Sequence, residues 1–162
     1  MKKSDQLFRF MWLSRPLMQR VEQLVRLGLE GTGLTVRMRA ILEVLNTRGP
    51  LTVPDIAHEL QIQRQYVQVM VNEVIAEEFA ERRPNPRHRS SDLIALTPRG
   101  QAIISWVIEG ERKNAEQMAT AFSDDEIATA LRVTERLCEQ IDTRLDRLPL
   151  DQAQSPDKKG RK

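Results

Sequence analysis

The sequence predicts a mainly α-helical chain carrying one small β-hairpin, and three observations predict it. Apolar residues recur at helical spacing along most of the 162 residues. Aromatic residues make up only 4% of the chain and charged residues 30%. That balance suits helices with one apolar stripe and one solvated face better than a β-sandwich. Between residues 80 and 96 the period switches from helix to strand, around Pro84, Asn85 and Pro86. A chain of this length suits one domain, or one compact lobe with a dimerisation arm.

Residues 5–30 carry Leu7, Phe8, Met11, Trp12, Leu17, Val21, Leu24, Val25 and Leu29 at helical spacings. Pro16 lacks an amide hydrogen, so a kink or a break is expected there. Gly28, Gly31 and Gly33 end the segment, and Thr35 can cap the next helix, whose inner side is Val36, Met38, Ile41, Leu42 and Leu45. Gly49 and Pro50 stop it. Thr52 then caps a short helix that reaches about Leu60, with Pro54 and Asp55 in its first turn. Gln61 and Ile62 make a tight connection to a helix over 64–79, whose buried stripe is Val67, Met70, Val71, Val74 and Ile75. Two short helices joined this closely outline a helix-turn-helix.

The hairpin follows, as residues 80–83, the proline turn and residues 93–96. A long helix opens at Pro98 and reaches about Phe122, and Ser123 with Glu126 forms a capping box for a last helix. Its stripe is Ile127, Ala130, Leu131, Thr134, Leu137, Cys138, Ile141, Leu145 and Leu148. The tail from 149 to 162 is polar, ends basic and is expected to be disordered.

Several function classes are disfavoured at this point. The lone Cys138 excludes an internal disulfide, and with only His58 and His88 beside it no structural metal or other cofactor is expected. No apolar run approaches the ~20 residues of a membrane span, and no leader with a cleavage site is recognised, so a cytoplasmic protein is expected. No nucleophile with a base and an orienting group, and no phosphate loop, stands out, so the chain is not expected to be an enzyme.

Net charge is only +2, so the placement of positive charge matters more than its sum. The start of the second helix of the pair presents Gln63, Arg64, Gln65, Tyr66 and Gln68, with Asn72 further on and no acid before Glu73. Glutamine can pair with adenine and arginine with guanine in a major groove that admits a helix. Taken alone, the same face is equally a polar, solvated one. Tyr66 can touch a thymine methyl, hold a phosphate or pack back on the short helix. The hairpin adds Arg82, Arg83, Arg87 and Arg89, with His88 among them, in eight residues without a carboxylate. Such a tip can lie along phosphates or enter a narrow minor groove. Thr52 can donate to a phosphate, although capping already explains its position.

The stretch 34–100 resembles the MarR family of winged-helix regulators. The resemblance rests on Leu34 and Thr35, on Gly49-Pro50-Leu51-Thr52, and on Ile56 and Ala57 through Leu60. It continues in the helix from Gln63, in Arg82-Arg83-Pro84-Asn85-Pro86 and in Leu96-Thr97-Pro98-Arg99-Gly100. It implies a winged helix-turn-helix lobe over 34–100, flanked by dimerisation helices in 1–33 and 101–148. It also implies a homodimer on a roughly palindromic site of double-stranded DNA, acting as a transcription regulator, repression being the favoured direction. A small aromatic or phenolic effector between the dimer helices and the lobe is a further implication, with Met11, Trp12, Met18, Met38 and Trp106 as candidates for its lining or for plain core. Cys138, on the last helix's stripe, is expected to be inert packing. A winged helix used for protein contacts is the rival.

Two departures stand out. Where the family has Asp-Arg-Arg at the wing, this chain has His88, Arg89 and Ser90, so Arg87 can share or take over the role of Arg89. Where the family has a glycine before the hairpin's first apolar residue, this chain has Glu78, which requires a corner that tolerates a side chain.

Overall fold

The structure is a computed structural model that describes residues 1–88 and 91–152. Its elements run α1 (Lys3–Gly28), α2 (Val36–Arg48), α3 (Val53–Leu60), α4 (Arg64–Ala76), β1 (Ala80–Arg83), β2 (Leu93–Leu96), α5 (Pro98–Ala119) and α6 (Asp124–Gln152). The chain divides into one unit over Met1–Asn114 and a second over Ala115–Lys162.

The first unit holds the core. Ile41, Leu42, Ile56, Val67, Val71, Val74, Phe79, Ile94 and Ile104 are fully or almost fully buried. Each such side chain withdrawn from water is worth about 1.5–3 kcal/mol before conformational entropy is charged against it. They come from α2, α3, α4, the corner at Phe79, the hairpin and α5, so the helix-turn-helix and the wing share one core. Helix α2 starts at Thr35, whose hydroxyl oxygen accepts from the Met38 amide at 3.2 Å. Helix α3 starts in the same way at Thr52 and ends on Gln61 in the left-handed region, at φ 53°. There the Ile62 amide returns to the Ala57 carbonyl at 3.2 Å, which closes the tight connection to α4.

The hairpin pairs antiparallel with Ala80 opposite Leu96 and Arg83 opposite Leu93. Leu51, in the link between α2 and α3, adds a one-residue third strand that bridges to Ile94. Its amide donates to the Ile94 carbonyl at 3.1 Å, and the Ile94 amide donates back at 2.7 Å.

Three expectations are corrected. Pro16 neither breaks nor splits α1, which runs unbroken across it. Proline costs the bond to the Trp12 carbonyl, yet the exposed helix adds local bonds on either side. The Ser14 hydroxyl donates to the Met11 carbonyl at 2.6 Å, and Arg20 donates to the Pro16 carbonyl at 2.9 Å. Helix α4 stops at Ala76 rather than reaching Phe79, because Glu78 turns left-handed (φ 58°) and sends Phe79 into the core. Helix α5 ends at Ala119, short of Phe122.

In the second unit the Ser123 hydroxyl and amide both bond Glu126, at 2.9 and 2.8 Å, and the Glu126 amide donates back to the hydroxyl at 3.3 Å. Those bonds, the backbone one first, hold the Glu126 carboxyl below the ordinary carboxylate range. Helix α6 continues through Pro149 to Gln152; the remainder of the tail, predicted to be disordered, lies outside the described residues.

Candidate nucleic-acid interface

Helix α4 buries Val67, Met70, Val71 and Val74 on one side. At 100° per residue, Gln65, Val69 and Asn72 then stack on the opposite, outer side. All three are exposed, Val69 to 50%. Gln63 is the N-cap residue but its side chain makes no capping bond, and it stands exposed with Arg64 at the helix start. Gln68 lies at the edge of the outer face and is half-buried.

The sole acid of α4, Glu73, is held by Arg37 of α2 at 3.1 Å. Tyr66, 45% exposed, faces the same guanidinium. Hydrogen bonding to the Tyr66 oxygen, then the charge of Glu73, raises the Arg37 pKa above its ordinary value. Tyr66 thus stands beside Arg37, at the margin of the outer row rather than within it. The negative charge of Glu73 is met locally.

The wing is tied to this helix by one oxygen. Asn72 Oδ1 accepts from Gln68 Nε2 at 3.0 Å and from an Arg82 guanidinium nitrogen at 3.1 Å. Strand alternation explains the contact, since Arg82 shares a face with buried Ala80, which packs inward. Arg83 shares the other face with Glu81 and donates to its carboxylate at 2.8 Å. Residues 82–89 hold no carboxylate, but the acid just before them meets Arg83. At the tip, Asn85 is nearly buried and its Oδ1 accepts the Arg87 amide at 3.0 Å, an Asx-type turn between two prolines. Arg87 and His88 are exposed. Arg89 lies outside the described residues.

The corner between α4 and the wing is clamped by the start of α5. The Thr97 hydroxyl donates to the Glu78 carbonyl at 2.7 Å and accepts the Gly100 amide at 3.0 Å, while the Thr97 amide donates to the Phe79 carbonyl at 3.1 Å. Arg99 lies 4.6 Å over the Phe79 ring and donates to the Glu77 carbonyl at 2.8 Å. This is what Leu96-Thr97-Pro98-Arg99-Gly100 does physically: it sets where the outer row of α4 ends and where the wing begins. The fit also explains how Glu78 occupies a left-handed position, since three bonds and a cation–π contact over-determine the corner.

Thr52 is half-buried, and its hydroxyl hydrogen goes to Asp55 at 2.6 Å while its oxygen accepts the Asp55 amide at 3.4 Å. Both functions of that hydroxyl are engaged in the cap. Of the candidate effector-lining residues, Met38 is core, whereas Met11, Trp12, Met18 and Trp106 are exposed. A groove of about 460 Å³ opens elsewhere, between the end of α1 and the start of α2, lined by Leu29, Leu34 and Val36 with Arg26, Arg37 and Glu22. Cys138, expected to be packed, is exposed on α6. No helix among the described residues is long and apolar enough to cross a membrane.

Helix-turn-helix, antiparallel wing and the bridge from Leu51 to Ile94 together define a winged helix-turn-helix protein. The sequence model of the MarR family matches residues 32–89. A crystal structure of a MarR family transcription regulator superposes with a TM-score of 0.83 at 33% identity, covering 89% of this chain and 95% of that one. The chain belongs to the MarR family. Among curated relatives, an uncharacterized protein of Mycobacterium tuberculosis is 39% identical over 69 residues, 43% of this chain and 48% of that protein, so the match spans about half that relative's length. The transcriptional repressor MdtR of Bacillus subtilis is 24% identical over 144 residues, 88% of this chain and 93% of MdtR. FabT of Streptococcus pneumoniae, crystallised in complex with DNA, shares the fold with a TM-score of 0.74 at 16% identity, covering 85% of this chain and 98% of FabT.

Proposed function

We propose that this chain is a sequence-specific, double-stranded DNA-binding transcription regulator, acting in the cytoplasm as a homodimer on a roughly palindromic operator and repressing from it. One observation carries the reading. The outer row of α4 offers amides with its sole acid already paired to Arg37, and an arginine-bearing wing is bonded to the same helix. Amides of this kind suit base edges in a major groove, and exposed guanidinium groups suit phosphates. FabT, captured with DNA, and MdtR, a repressor by name, lend support by fold and by sequence. The dimer is supported by the apolar residues that the single chain leaves uncovered, Leu7, Phe8, Met11 and Trp12 on α1 and, separately, Leu131, Ile141 and Leu145 on α6. Release by a small aromatic or phenolic ligand belongs to the same reading and is supported by the family resemblance.

The test is binding of random-sequence and selection-enriched duplexes across a range of salt. The logarithm of the affinity should fall linearly with the logarithm of salt, and replacing Arg87 and Arg89 by alanine should flatten the slope by roughly one unit per lost phosphate contact. Binding that ignores salt would favour a winged helix built for protein contacts, and an unchanged slope in the double variant would remove Arg87 and Arg89 from the phosphate contacts.

A further inference from the structure

Val69 is anomalous. It is a β-branched, apolar residue, 50% exposed, in the middle of the outer face of α4, with Gln65 one turn before it and Asn72 one turn after. It adds nothing to the core, which is filled from the other side by Val67, Met70, Val71 and Val74. A valine there also costs helix propensity relative to the unbranched residues that solvated faces usually carry.

Its polar neighbours are not equally free. Asn72 Oδ1 already accepts two donors, one from Gln68 and one from Arg82. An adenine needs both an acceptor and a donor from one carboxamide. Asn72 would have to give up one of those donors to supply the acceptor, and Gln68 stands half-buried at the edge of the face rather than in the central row. In the central row that leaves Gln65 as the polar contact and Val69 as the apolar one. Thymine is the base that presents a methyl group in the major groove, and an apolar side chain is what recognises it.

We infer that Val69 is a specificity-determining residue that reads the C5-methyl of one thymine in each half-site. The inference rests on the proposed DNA-binding role of α4. Four residues of helix rise about 6 Å, so this thymine lies within about two base pairs of the base met by Gln65.

The probe is a duplex enriched by wild-type protein from a random-sequence library, then resynthesised with each thymine in turn replaced by deoxyuridine, which removes only the methyl. One position per half-site should weaken wild-type binding by about fourfold, the worth of one buried methyl. Val69→Ala alters both protomers, so it should bind the thymine duplex about as weakly as wild type binds a duplex with both of those thymines replaced, and should not distinguish the two duplexes. Because Val69 lies outside the core and alanine is the better helix former, the variant should melt no lower than the wild type. Should it melt lower, Val69→Ser, which puts one hydroxyl in place of the two methyls, gives the same comparison. Retained methyl sensitivity in a folded variant, or wild-type binding insensitive to every thymine methyl, overturns the assignment while the DNA-binding reading stands. A library from which nothing is enriched overturns that reading, and this assignment with it.

Discussion

Replacing Gly100 with alanine separates local propensity from the geometry of the corner. Alanine in place of glycine inside a helix ordinarily gains about 1 kcal/mol, and Gly100 lies in the first turn of α5. A Cβ built there would sit 1.8 Å from the Phe79 carbonyl oxygen and 2.8 Å from its carbon, whereas ordinary contact begins at 3.4 Å. The obstacle is backbone, so no side chain can swing away. Either α5 or the segment 77–79 must move by more than an ångström. Overpacking of this kind costs about 1–3 kcal/mol, and the move strains the Thr97 bonds to Glu78 and Phe79, each worth about 1 kcal/mol. Set against the propensity gain, Gly100→Ala should lose about 2–4 kcal/mol. Gly110→Ala is the internal control: it lies on the same helix, its Cβ would meet nothing within 4 Å among the described residues, and it should be neutral or slightly stabilising. Urea unfolding followed by circular dichroism reads both. Gly100→Ala as stable as Gly110→Ala would refute the clamp.

Other consequences can be tested in the same way. Glu78→Gly should stabilise the chain by about 1 kcal/mol, because a non-glycine residue at φ 58° pays for the left-handed region; a thermal melt would show the midpoint rise by about 2–4 °C. Ser123→Ala should return the Glu126 carboxyl upward toward the ordinary range, followed by NMR titration. The sign is fixed: with its pKa lowered by folding, Glu126 contributes stability above the unfolded-state pKa, and that contribution fades as the pH falls through the folded value. The variant should therefore show a weaker acid dependence of stability than the wild type in that window. Ile141→Glu adds a charge to a residue only partly covered in the single chain, but a dimer packed through this stripe would bury it unpaired at a cost of several kcal/mol. Sedimentation should show a dimeric wild type and a monomeric variant; a monomeric wild type at micromolar concentration would refute the dimer.

What the sequence made legible was whatever a period or a pair of stop signals controls. The ends of the hairpin were readable because Pro84, Asn85 and Pro86 end the helical period, and the short apolar run from Leu93 to Leu96 is bounded by Thr97 and Pro98. The turn at Gln61 and Ile62 was readable because a capped short helix runs out at Leu60. Leu51 was not, since one residue between two helices carries no period and its strand pairing exists only against Ile94. The end of α4 was missed because Ala76, Glu77 and Glu78 are acceptable helix residues, and tertiary contacts from Thr97 and Arg99 decide the corner. The departure at Glu78 did flag a special geometry there. In the candidate interface, the amide-rich row was visible, but Val69 was passed over because that face was read for its polar side chains alone. The attachment of Arg82 to Asn72 and of Arg83 to Glu81 depends on strand facing, which composition does not reveal.

If the outer row of α4 reads base edges, Gln65 must take part, because its amide heads that row. The measurement is fluorescence anisotropy of wild type and Gln65→Ala on the selection-enriched duplex and on a scrambled duplex of equal length, at one salt concentration. A loss of about 1–3 kcal/mol is expected on the enriched duplex and little change on the scrambled one. Equal losses on both would make Gln65 a backbone contact, and no loss on either would mean that α4 is not the reading helix.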